Sequence, residues 1–210
     1  MRRETSTVVA LVGAVGADLL ATLAESPNVA VARAPAEPPA AASAAAIPAG
    51  SLAARPGWQQ GAAAMRQAAR RRATYVVVPD DPLAGVAAAW HAMWDIPGGP
   101  VGSARFEETA ALTLAAWRDK RFELPDYYLV IAPARDSATG PDLYLGPLRA
   151  SRPSRVAVAG AADSPSRAAS LLDTLRSLEH GPWWPPLDDL LDAARRFYAG
   201  GLAETRSAPV

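Results

Sequence analysis

The sequence predicts an α/β protein, a three-layer α/β/α sandwich in which helices cover both faces of a mostly parallel five-stranded sheet. Three observations predict it. Five short apolar runs, within residues 5–12, 29–32, 74–78, 127–131 and 156–159, have the length and the β-branched or aromatic content of strands. They are continuous rather than alternating, as strands covered on both faces require. Segments of helical composition separate each run from the next, the syntax of parallel strands joined by crossovers.

The first unit carries the clearest junction. Residues 5–12 form a strand, Gly13-Ala14-Val15-Gly16 a turn, and 17–25 a helix that Ser26-Pro27-Asn28 breaks before the second run. Residues 34–56 change character. Pro35, Pro38, Pro39, Pro48 and Pro56 are scattered through alanine, serine and glycine, a composition that cannot offset its ordering entropy by burial, so a surface loop or disordered insertion is expected. A helix over 58–72 ends in Arg70-Arg71-Arg72 and leads to the strongest run, Thr74-Tyr75-Val76-Val77-Val78. Asp81 then reads as a helix cap with Pro82 at the first helical position, for a helix reaching about Trp94.

A glycine–proline loop follows, and Ser103 reads as the cap of a helix with Phe106, Ala110, Leu114 and Trp117 at helical spacing. After the fourth strand, residues 142–150 predict a short helix broken near Gly146-Pro147. Ser164-Pro165 repeats the cap-and-proline junction before a helix with Ala168, Leu171, Leu172, Leu175 and Leu178 on one stripe. A last helix, 186–199, has Asp188, Asp189 and Asp192 towards its start and Arg195 and Arg196 near its end, matching the macrodipole, with Gly200-Gly201 as its stop. The organisation expected is one α/β domain over 1–200, of the Rossmann-like or flavodoxin-like kind, with 201–210 a flexible tail.

Composition narrows the function classes. Net charge is zero, which gives no electrostatic case for nucleic acid or an anionic membrane surface. With no cysteine there is no disulfide framework, thiolate nucleophile or Cys-ligated metal, and with only His91 and His180 no multi-His metal site is expected; no metal is assigned, although Asp80 and Asp81 with Asp136 or Asp163 could hold Mg²⁺. Lys120 is the single lysine among 21 basic residues, so arginine reads as the default cation of a GC-rich genome and individual arginines are discounted. Arg2-Arg3 before an apolar run suggests a signal peptide, but Glu4 and Asp18 argue against one, and a cytoplasmic protein is expected.

Ligands of such sheets bind at the carboxyl ends of the strands. That edge would collect Gly13 and Gly16, Arg33, Asp80 and Asp81, Asp136 and Ser137, and Gly160, Asp163 and Ser164. Gly13 and Gly16 could admit a phosphate to the amides opening a helix, although G-x-x-G is neither the dinucleotide fingerprint nor a P-loop. Asp80, Asp136 and Asp163 are the candidate catalytic carboxylates, and Asp81 and Ser164 are candidate ligand contacts that capping explains equally well. His91 and Asp95 share a helix face but lack the further ligands of a metal site, and no G-x-S-x-G elbow activates a serine. Trp183 and Trp184, set between prolines in Gly181-Pro182-Trp183-Trp184-Pro185-Pro186, form a lid, a partner surface or a plug for the last helix.

The function expected is a binding or interaction domain that takes a small anionic molecule or a protein partner at the carboxyl edge, its cofactor unspecified. The alternatives are a transferase or hydrolase acting on a phosphate-containing or nucleotide-like substrate, and a subunit of a homo-oligomer.

Overall fold

The computed structural model describes residues 6–13, 15–33, 58–95, 100–131, 142–159 and 166–207; the proline-rich segment 34–56 lies outside them. In chain order the elements are β1 (Thr7–Val12), α1 (Ala17–Ala24), β2 (Val29–Val31), α2 (Trp58–Ala68), β3 (Tyr75–Val78), α3 (Ala84–Asp95), α4 (Pro100–Arg118) and β4 (Tyr127–Ile131). A π-helical turn, Tyr144–Leu148, then runs into α5 (Arg149–Ser151), followed by a 3-10 turn at Pro153–Arg155, β5 (Val156–Ala159), α6 (Ser166–Arg176) and α7 (Leu187–Ser207). The five strands form one sheet in the order β2-β3-β1-β4-β5, and every neighbouring pair is parallel.

Side-chain alternation assigns the layers. Val9, Leu11, Val77, Leu129 and Ile131 pack on one face against Leu19, Leu20 and Leu23 of α1 and Leu171 and Leu175 of α6. Ala10, Tyr128, Val130 and Val156 point to the other face, where Trp90 of α3, Phe106 of α4 and Leu187, Leu190 and Leu191 of α7 close the larger core. Val8, Val76 and Val78 continue that face beneath Ala64, Met65 and Ala68 of α2. The continuous apolar strands therefore exist because both faces are covered. Trp90 is the hub of an aromatic cluster, its ring 5.8 Å from Trp94, 5.9 Å from Phe106 and 6.2 Å from Tyr198 in edge-to-face contact. On the outer surface Arg195 of α7 grips Glu107 of α4 through two parallel bonds of 2.9 and 2.7 Å.

Several boundaries differ from expectation. α2 stops at Ala68, four residues short of Arg72. α4 opens at Pro100, which suits a first helical position, so Ser103 lies inside the helix rather than at its cap. No break occurs at Gly146-Pro147. The chain shifts to π register, Leu148 N–H donating to Leu143 O at 3.1 Å, and Pro147 has no N–H to lose there. α7 does not stop at Gly200-Gly201 but continues to Ser207, with Gly201 packed directly on the Trp94 ring. That close approach outweighs the poor helix propensity of two glycines.

Candidate functional site

Strand order fixes where the carboxyl edge opens. β1 is central, and its crossover α1 lies on one face, whereas the neighbouring β3 leads into α3 on the other. Adjacent strands whose connections leave to opposite faces leave a crevice at their carboxyl ends. At that edge Gly13 and Gly16 follow β1, and Asp80 and Asp81 follow β3.

The two glycines differ in kind. Gly13 has φ +109°, and a Cβ there would stand 2.6 Å from the carbonyl oxygen of Ile131 in the neighbouring β4, so the β1–α1 turn admits only glycine at this position. Its own carbonyl accepts from Val15 N–H at 2.9 Å, closing the turn. Gly16 is the N-cap of α1 at φ −77° and ψ 157°, a conformation open to any residue, and among the described residues a Cβ there would meet nothing within 4 Å. Among the described residues no side chain caps the first-turn amides; the acid in that turn, Asp18, is exposed.

The adjacent aspartates also part company. Asp81 is buried, and its Oδ1 accepts from Leu83 N–H at 3.0 Å, the capping role legible in the sequence. The same oxygen accepts the Tyr128 hydroxyl at 3.0 Å, while Oδ2 accepts a short bond from the Tyr144 hydroxyl. Burial pushes this carboxyl up to about 6, against the lowering effect of the bonds from Tyr144, Leu83 and Tyr128. Burial and then the Asp81 charge hold both phenols well above their ordinary value, so they remain donors. α2 seals the cluster from above: a Cβ on Gly61 would fall 2.1 Å from the Pro82 nitrogen. Asp80 is half-buried, and Arg33, after β2, is exposed.

Asp136, Ser137, Gly160, Asp163 and Ser164 lie outside the described residues. His91 is half-buried in α3 and His180 is exposed in the loop after α6. Among the described residues no three His, Asp or Glu side chains come together as a metal site.

Trp183 and Trp184 sit at the opposite, amino edge of the sheet. Trp184 is interior, with its Nε1–H donating to Pro125 O at 2.8 Å and its ring 5.6 Å from Tyr128. Trp183 is 52% exposed, and the Arg155 guanidinium stacks 5.0 Å from it and 4.8 Å from Tyr127. Arg155 also donates to Gly181 O at 2.6 Å and Pro182 O at 3.0 Å, and Arg152 to Trp183 O at 2.7 Å. The segment is thus a plug with one ring left outside.

Tyr128, Tyr144 and Arg155 escaped the sequence reading. The available signal was Tyr127-Tyr128 itself, since consecutive strand residues face opposite layers and each buried hydroxyl needs a partner. Tyr127 finds Glu179 O at 3.1 Å. A groove of about 350 Å³ beside the plug and another of about 260 Å³ along the outer edge of β5 both lie away from the Gly13 turn.

Comparison of the chain with protein-family models, with curated proteins and with solved structures finds no match in any of the three. Among the described residues no helix is long and apolar enough to cross a membrane.

Proposed function

We propose that the protein is a binding module that takes a small anionic ligand at the β1–α1 turn, in the crevice between β1 and β3. The observation that carries this is Gly16. Neither its backbone conformation nor its surroundings call for glycine, and an Asp or Ser there would cap α1. With no capping side chain and no neighbour within 4 Å among the described residues, the first-turn amides are left accessible to an anion, which the helix dipole also favours. The burial of Asp81, with both oxygens already accepting, supports a binding role over hydrolysis or group transfer at this turn, because that carboxylate does not face the crevice.

Thermal-shift titration with inorganic phosphate, nucleotides and phosphorylated metabolites tests the proposal. Gly16→Asp stabilises the unliganded protein by a few tenths of a kcal/mol through capping, yet abolishes the ligand-induced rise in Tm by placing a carboxylate on the site. Asp18→Asn strengthens the rise by removing the acid from that turn. An anion response unchanged in Gly16→Asp, or no response from the wild type to any of these anions, sinks the proposal.

A further inference from the structure

We propose that the groove at the amino edge of the sheet binds a quaternary ammonium group. Trp117 from the last turn of α4, Leu124, the plug residues Trp183 and Trp184 and the pair Pro185-Pro186 give it aromatic and apolar walls, and Glu123 gives it a charge. Its volume of about 350 Å³ falls in the range of small-ligand sites.

Charge selects a cation. Glu123 is exposed, and among the described residues its carboxylate has neither a hydrogen-bond nor an ion-pair partner. The neighbouring basic side chains are engaged elsewhere, Arg118 with Asp188 and Arg121 with Asp119, both at 3.3 Å, and Lys120 does not line the groove. A lone carboxylate beside indole rings attracts a cation through both its charge and the ring quadrupoles. Trp183 already holds one cation, the Arg155 guanidinium.

Hydrogen bonding selects the kind of cation. Four carbonyls of the plug already accept, Gly181 O and Pro182 O from Arg155, Trp183 O from Arg152 and Pro186 O from Leu190 N–H, and the neighbouring Pro125 O accepts from Trp184. Against the indole, leucine and proline side chains of these walls a primary ammonium or a guanidinium gives up hydration for few acceptors, Glu123 chief among them. An alkylated ammonium brings no such donors and presents methyl groups to the rings.

Choline chloride, titrated against intrinsic tryptophan fluorescence and by calorimetry at constant ionic strength, is the probe. The control is the neutral alcohol in which carbon replaces the quaternary nitrogen. Choline binds saturably, the neutral analogue binds roughly three- to tenfold more weakly, and Glu123→Gln removes most of that difference. Trp183→Ala, at a half-exposed ring, weakens choline binding without unfolding the protein, as its unchanged circular dichroism checks. The absence of saturable binding overturns the proposal, as does equal affinity for the neutral analogue or choline binding that Glu123→Gln leaves untouched.

Discussion

Tyr144→Phe removes one of the hydrogen bonds that hold the Asp81 carboxylate where water does not reach. A bond to a charged acceptor is worth about 1.5–3 kcal/mol, and the variant is expected to lose stability in that range by denaturant titration at neutral pH. Combined with Asp81→Asn, the two losses are expected to be less than additive, because they remove one shared contact. Additive losses would mean that the contribution of the hydroxyl does not run through the Asp81 carboxylate. Gly61→Ala offers a sharper contrast. Alanine favours an exposed helix by up to about 1 kcal/mol over glycine, yet here the added methyl must push α2 off the Asp81–Pro82 peptide, so net destabilisation is expected. The cap at Asp81 was legible because its partner is two residues away. The tyrosines were not, because they arrive from 47 and 63 residues along the chain.

Among elements, the β1–α1 turn was readable from its glycines, but the sequence could not separate Gly13, which the backbone demands, from Gly16, which it does not. The plug shows the reverse difficulty. Its tryptophans were conspicuous, whereas Arg152 and Arg155 were discounted as products of composition, and only the fold brings them to the carbonyls of 181–183. Arg155 uses a planar fork, two N–H groups on successive carbonyls and its face between two rings, and lysine cannot reproduce that. Arg155→Lys is therefore expected to loosen residues 181–184. Faster amide exchange and proteolytic nicking there, with slower change in the β1–β4 pairing, is the outcome to look for. Uniform protection across the segment would show that Trp184 alone anchors it.

At the scale of the molecule, the three-layer class followed from strand composition and helical spacing, since each depends on local burial. Strand order did not, because the pattern of five apolar runs is the same whichever strand lies centrally. The order decides what meets at the carboxyl edge: with β1 between β3 and β4, the first turn lies between the ends of those two strands, and Tyr128 reaches Asp81 across Ala10, which carries only a methyl on that face. The resulting cluster gives global stability an unusual pH dependence. Asp81 titrates near 3.8 when unfolded and at about 6 when folded, so between those values the native state binds more protons than the unfolded chain. Its contribution is fully present below about pH 4, falls as pH rises to about 6, and is level above that; the amplitude is on the order of 3 kcal/mol. Carboxylates in surface ion pairs act with the opposite slope, so the comparison must be with Asp81→Asn, which keeps the shape and cannot ionise. Denaturant titrations of both proteins from pH 4 to pH 7 are expected to diverge across that window, with the wild type losing stability relative to the variant as pH rises. Parallel curves would place the Asp81 carboxyl at its ordinary acidity, and with it a site open to water.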